Sequence, residues 1–480
     1  MSDEKEWFEW EREATVHPIL LCMEAWMQPA KDYCGRAWPT SYLHYRGDII
    51  HWINPLADLE DYGQYLISAY LKPEKREALE QDIARIAQKL DRVFDTSERA
   101  DLSGLTEREL LGHYMLIKNG FVEWFVPGAL VEPVGLDGER QVREMLLTKG
   151  IADKDIDARL SVLTTSPRKS FSKTELEELL SIAMKAQSGA GVESALRNHA
   201  RKYFWLHNNY FSTEVLGADF FNSQLIILLS KNGNPAAYLT KIQGEFDAVL
   251  ARKRQLMESL QLTQEQRGLI ELLELFAWYQ DYRKEYTMKA LHYLDSVLGE
   301  IGRRKGLSLK HMKYSMASEV PGILDNTFDI SLLGKRMRHF LAVWRPESNS
   351  FECFTKDAAE AWGRLNPHIR HDCKQLELSG APASGGIARG RAKVTMNASE
   401  AMKIQPGEII VTSMTTPDFV TAMKKAAAIV TNEGGILCHA AVVSREFNIP
   451  CVVGTKIATK AIKTGDMIEV DGSKGTVKKI

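Results

Sequence analysis

The side chain best placed to do chemistry in this chain is a histidine just after a glycine pair. Residues Thr431–Val453 run TNEGGILCHAAVVSREFNIPCVV. An apolar run, Ala426–Val430, leads into Gly434 and Gly435, then Cys438 and His439. From His439 to Phe447 the pattern is helical; Pro450 stops it, and CVVG starts a new strand. Strand, glycine turn, histidine, helix, strand puts His439 in the first turn of a helix, on a surface-facing start. Helix N-termini carry unpaired N–H groups and a positive dipole end, so they favour anions. An imidazole there suits a nucleophile that must carry a phosphoryl group. The dipole favours the phosphorylated form by about 0.3–1 kcal/mol. It also disfavours protonation of the free ring and keeps a nitrogen lone pair available near neutral pH. The plain alternative is a histidine that only caps or packs.

The elements around this turn are short. RAKVTM, GEIIVTS, AAIVTN, PCVVG, MIEVDG and GTVKKI are strand patterns, with helices expected at Ala398–Lys403, Thr416–Lys425 and His439–Phe447. Many short strands with a few helices make a compact β/α/β domain. Upstream the pattern is helical. In Pro73–Phe94, Leu79, Ile83, Ile86, Leu90 and Val93 share one face, with Pro73 at the helix start. Thr106-x-x-Glu109 and Ser172-x-x-Glu175 are capping boxes. Thr263-x-x-Gln266 opens the longest helical pattern, to Lys305 before Gly306. Val126–Gly138, with two prolines and three glycines, predicts a loop and a possible internal boundary. Glu193–Tyr210 carries His199, His207 and Trp205, best explained as an aromatic helix face in a core.

Composition removes several function classes. Lys+Arg is 61 and Asp+Glu is 63, a net charge of −2, so no broad basic field awaits nucleic acid. No apolar run approaches the ~20 residues a bilayer needs, and the charged N-terminus has no leader pattern. Six cysteines without a CxxC pair are expected to be reduced thiols in a cytoplasmic protein. Metal binding finds little support. His44 and His51 flank Arg46 and Asp48 in a strand-like tract, but no further ligand is visible. His368, His371 and Cys373 have metal-like spacing inside a polar connection, where a solvated linker explains them. Arg303, Arg304 and Lys305 end a helix, where cations complement the dipole.

Four stretches carry a family resemblance: GIARGRAKV at 386–394, PGEIIVTSMTTPDF at 406–419, AAAIVTNEGGILCHAAVVSREFNIPCVVGT at 426–455 and GDMIEVDGSKGTV at 465–477. In order and spacing they resemble the phosphohistidine swivelling domain of the phosphoenolpyruvate-utilising enzymes. That group contains pyruvate phosphate dikinase, phosphoenolpyruvate synthase and rifampin phosphotransferase. His439 falls on the histidine that the family phosphorylates. Leu437 stands where the dikinases and synthases usually have Thr, and there the chain is similar to the branch with small-molecule phosphotransferases. Gly385 replaces the proline of the family's turn. Residues 278–324 are more loosely similar to the helical segment upstream of that domain in the same branch.

The resemblance implies a multidomain chain: a mostly α-helical region, 1–370, that binds the acceptor; a hinge linker, 371–385; and a small α/β swivelling domain, 386–480. His439 is the implied catalytic residue. Glu433, Gly434, Gly435 and Cys438 are implied to support the phosphate, as is Arg445, which alternatively braces the domain. No metal ligand is expected. In the resembled enzymes an ATP-grasp domain charges the histidine, which swings to a second site. This chain shows no Gly-rich phosphate loop and no barrel pattern, so ATP and Mg²⁺ are expected on a separate ATP-grasp partner chain. The expected activity is phosphotransfer from ATP through His439 to a small-molecule acceptor. The alternatives are a subunit of a split phosphoenolpyruvate synthase or pyruvate dikinase, and a phosphorelay scaffold without turnover.

Overall fold

The computed structural model describes residues 6–348, 350–365, 377–435 and 438–480. Leu437 and the His368, His371 and Cys373 cluster lie outside the described residues. The chain divides into two compact units. One comprises Met1–Gly138, Asn209–Thr213 and Tyr286–Asp372; the other comprises Glu139–Asn208, Glu214–Glu285 and Cys373–Ile480.

The first unit combines helices with a five-stranded antiparallel sheet in the order β1-β3-β2-β4-β5. Its strands are β1 Trp7–Glu13, β2 Ser41–Arg46, β3 Ile49–Pro55, β4 His339–Trp344 and β5 Glu352–Phe354. The alternating tract around His44 and His51 forms β2 and β3, joined by a tight turn with Gly47 at φ +60°. The helix expected from Pro73 runs Pro73–Glu98 and buries Leu79, Ile83, Ile86, Leu90 and Val93. The Thr106–Glu109 capping box is present, reciprocal as expected. The loop expected at 126–138 is helical instead: a 3-10 turn, Val126–Leu130, leads into a helix, Val131–Thr148. Both prolines sit in first turns, where the missing N–H would have had no helical partner.

The second unit joins a bundle of helices to the C-terminal α/β domain. The longest described helix, Gln264–Lys305, has 42 residues, and only its part up to Glu285 belongs to this unit. It starts at a capping box in which Thr263 and Gln266 exchange hydrogen bonds of 3.0 and 3.2 Å. At the other expected box the cap is Ser170, not Ser172: Ser170 Oγ accepts from Lys173 N at 3.1 Å and the helix runs Phe171–Gln187. Starting two residues earlier satisfies a helix N–H and turns Phe171 inward. His199 and Trp205 are buried, as the packed-face reading requires, and His199 Nε2 lies 3.2 Å from Glu175 Oε1.

The α/β domain carries an eight-stranded sheet in the order β6-β13-β12-β8-β9-β10-β11-β7. The strands are β6 Glu377–Ser379, β7 Ala381–Ser384, β8 Ile387–Val394, β9 Ile409–Thr412, β10 Ala428–Thr431, β11 Cys451–Val453, β12 Met467–Asp471 and β13 Thr476–Lys479. Strands β8 to β11 are parallel neighbours; the others pair antiparallel. Of the parallel strands, β9, β10 and β11 are buried on both faces, which explains their continuous apolar runs. Ile410, Ile429 and Cys451 face one core with Ala440, Ala441 and Val443 of the His439 helix. Ile409, Val411, Ala428 and Val430 face another with Ile468 and Val470. Although β6 and β7 stand at opposite ends of the strand order, only Gly380 separates them in the chain. The sheet is therefore curled until its two edges meet. The segment expected to be a hinge, 371–385, is strand at Glu377–Ser379 and Ala381–Ser384, while 371–376 lies outside the described residues.

Candidate active site

His439 opens the helix His439–Glu446, directly after the turn that follows β10. The turn needs its glycines. Gly434 has φ +98°, and a Cβ there would lie 2.7 Å from Cys438 Sγ. At Gly435 a Cβ would stand 2.6 Å from Glu139 Oε2, so the absent side chain admits a carboxylate from the 131–148 helix. Glu433 N donates to Ser413 O at 2.9 Å and ties the turn to the end of β9. Cys438 is the N-cap residue and makes no side-chain cap bond; burial raises the pKa of its thiol.

The surface-facing position expected for His439 is corrected by the structure: the residue is 3% exposed. Phe171, the first residue of the 171–187 helix, covers it. The two rings are near parallel, 14° apart, with centroids separated by 6.2 Å. On the other side His439 Nδ1 and Thr415 Oγ1 are 2.8 Å apart. With Nδ1–H donating to that hydroxyl, Nε2 keeps its lone pair. Nε2 is itself buried and has no hydrogen-bond partner among the described residues. Burial first, and then the positive charge of Lys284, hold the imidazole pKa well below its ordinary value. The ring is neutral at physiological pH, with one nitrogen oriented and the other available, as nucleophilic use requires.

Around this centre stand groups that the sequence pattern does not announce. Asp281 and Lys284 are one helical turn apart on the 264–305 helix. Asp281 Oδ2 accepts from Phe171 N at 2.8 Å, while Oδ1 is buried without a partner. Burial, with Glu446 nearby, pushes the Asp281 pKa up to about 8. Glu446 accepts hydrogen bonds from Ser170 N, at 3.3 Å, and from Ser170 Oγ, and its pKa is raised by burial. Arg445 points away from His439's ring toward the helices: its Nη1 donates to Ser161 O and Oγ at 3.2 Å each, and Nε to Ala441 O at 3.2 Å. The structure thus gathers His439, Cys438 and the glycine turn, and seats Arg445 two turns along as a brace between the domain and the helical bundle. Thr415 lies inside a stretch that carries the family resemblance, but no role was expected of it; Phe171, Asp281 and Lys284 come from helical sequence with no local signal of a site.

A cavity of about 240 Å³ opens along the same helix, lined by Ser161, Arg168, Lys173, Trp278, Asp281 and Glu446 among others. A smaller one, about 180 Å³, shares Trp278 and Asp281 and reaches Phe171. In the other unit, Glu9, Glu11 and His51 bring ligand atoms within 4.8 Å of one another on adjacent strands. His51 Nδ1 is 2.6 Å from Glu9 Oε1, and such a pair accounts for the cluster without a metal. His44 belongs to a different contact, 2.7 Å from His339 Nε2 and stacked on Trp362 at 4.0 Å.

Comparison with known proteins bears on the C-terminal part. The family model for the PEP-utilising enzyme mobile domain matches residues 404–475. A probable phosphoenolpyruvate synthase of Archaeoglobus fulgidus is 59% identical over 103 residues, 22% of this chain and 14% of that protein. The phosphoenolpyruvate synthase of Pyrococcus furiosus is 60% identical over 105 residues, 22% of this chain and 13% of that protein. An uncharacterized phosphotransferase of Bacillus subtilis is 41% identical over 125 residues, 26% of this chain and 15% of that protein. The chain therefore spans only 13–15% of the length of these relatives. It is the C-terminal part of this chain, with His439 in it, that is similar to the mobile domain of the PEP-utilising enzymes.

Proposed function

We propose that the chain is a phosphotransferase component in which His439 Nε2 takes up a phosphoryl group derived from ATP and hands it to a small-molecule acceptor. One observation carries this reading: within a sequence similar to a mobile domain, Nδ1 is held by Thr415 while the neutral, buried Nε2 has no partner among the described residues. In the first step the Nε2 lone pair attacks phosphorus and the P–O bond of the donor breaks. In the second an acceptor oxygen attacks the same phosphorus; the P–N bond breaks, its electrons return to Nε2, and the acceptor's proton is released. Splitting one transfer into two gives each step its own geometry. ATP and Mg²⁺ are assigned in this proposal to an ATP-grasp partner, with the metal neutralising charge on the transferring group.

The test is labelling with radioactive ATP in the presence of such a partner. The native chain should take up label that is lost in acid, as N–P bonds are, and His439→Ala should take up none while keeping its circular dichroism spectrum. Acid-stable label, or label in the Ala variant, sinks the reading. A second reading, a subunit of a split phosphoenolpyruvate synthase, is favoured by the names of the relatives. Supplying pyruvate separates the two: formation of phosphoenolpyruvate, AMP and phosphate by the paired chains supports the split synthase.

A further inference from the structure

The cavity beside the His439 helix has a size, a charge balance and an unsatisfied polar atom that together describe a ligand. Its volume, about 240 Å³, lies below the roughly 300–1,000 Å³ of pockets for drug-sized molecules. Val442, Arg445 and Glu446 of that helix form part of its wall, so the cavity begins one turn from the histidine, about 4.5 Å along the axis.

The basic side chains on its wall are Arg168, Lys173, Arg252 and Arg445, and the acidic ones Glu245, Asp281 and Glu446. Two of these cations lie on aromatic rings: Lys173 Nζ is 3.7 Å from the Phe246 centroid, and Arg168 Cζ is 4.4 Å from that of Trp278. Lys173 is 3% exposed, and burial lowers its pKa, so an anion beside it would favour its charged form. Burial keeps the Asp281 carboxyl protonated at neutral pH, with its pKa near 8, and raises that of Glu446. Glu245 accepts from Asn448 Nδ2 at 2.7 Å. The wall is positive on balance, with Lys173 buried and Arg168 and Arg252 exposed at its rim, a set that suits an anion. Asp281 is 4% exposed, and its Oδ1 has no partner among the described residues although its side chain lines the cavity. An O–H group from a ligand would fill that vacancy in the hydrogen-bonding pattern.

We propose that this cavity holds the phosphoryl acceptor, and that the acceptor is a small hydroxy acid whose carboxylate lies among Arg168, Lys173 and Arg252 and whose hydroxyl meets Asp281 Oδ1. Trp278 and Phe246 leave room for a compact apolar body between the two ends. Calling the ligand the acceptor rests on the phosphotransfer reading; its binding does not, because an unphosphorylated histidine suffices.

Titration calorimetry on the full chain tests this with lactate, mandelate and their neutral amides. At least one of the two acids should bind saturably, about tenfold or more tighter than its amide. Arg168→Gln, an exposed position that the fold tolerates, should erase most of that preference and leave the amide unchanged, and Lys173→Gln should act in the same direction. His439→Ala should bind the acid as the native chain does. Equal affinity for acid and amide, no saturable binding of either acid, or an unaltered preference in Arg168→Gln overturns the proposal. If acid binding is as expected but His439→Ala still takes up label, the phosphotransfer reading fails and the cavity assignment stands. If labelling fits but acid binding does not, the reverse holds.

Discussion

His439 is kept neutral by the same packing that hides it. The imidazole needs no deprotonation before it attacks, so labelling should stay flat from about pH 6 to 8 as far as this ring is concerned. Thr415→Val leaves Nδ1 buried and unpartnered; labelling should fall about tenfold, with stability down by about 1–3 kcal/mol. Unchanged kinetics would show that Thr415 does not orient the ring. Asp281 gives a cleaner pH signature. Its carboxyl rises from an ordinary 3.8 to about 8 on folding. Between those values the native protein holds a proton that the unfolded chain has released, so stability falls as pH rises through the window and levels off above it. Asp281→Asn removes that dependence: its melting temperature relative to the native chain should gain roughly 3 °C or more between pH 4.5 and 8. A difference that does not move with pH would place the Asp281 pKa near its ordinary value. Of these residues only His439 was legible in the sequence, because strand, turn and helix are adjacent there. Asp281, Lys284 and Phe171 are ordinary members of helical patterns until packing brings them to the ring.

At the scale of elements, the contacts that seat the α/β domain on the helical bundle include Phe171 over His439, Ser170 on Glu446, Arg445 on Ser161, Asn448 on Glu245 and Lys424 on Glu175. If one histidine serves two sites, this docked pose serves one of them. Ser170→Cys with Glu446→Cys, joined by a short thiol cross-linker, should therefore block charging by the partner, and releasing the link should restore it. A linked protein that charges at the native rate would mean that the domain never needs to leave. Gly434→Ala forces a left-handed residue and a Cβ 2.7 Å from Cys438 Sγ; it should destabilise the domain by about 1–3 kcal/mol. Local pattern predicted the helices that start with caps and the short apolar strands. It failed where one residue type serves two purposes. Prolines at 127 and 133 looked like loop signals but sit in first turns. Ser172 had the spacing of a cap, but Ser170 holds the position and binds Glu446 as well.

At the scale of the molecule, the sequence pattern caught the change from helices to a C-terminal α/β domain but not the five-stranded sheet of the first unit. Its strands come from both ends of a long tract, β1 to β3 from the start and β4 and β5 from beyond residue 338, so no local run reveals that they pair. In the proposed division of labour the purified chain should not label itself from ATP, and an ATP-grasp partner with Mg²⁺ should restore labelling at His439. Efficient labelling of the chain alone would place a nucleotide site within it. No described helix is long and apolar enough to cross a membrane. The curled sheet has a further consequence. With Gly380 joining β6 to β7, and Gly380 N donating to Gly475 O at 2.8 Å, the two ends of the strand order are drawn together. A long open strand edge invites pairing with other chains. Here the edge strands are only three and four residues long, so the domain presents little template for clumping.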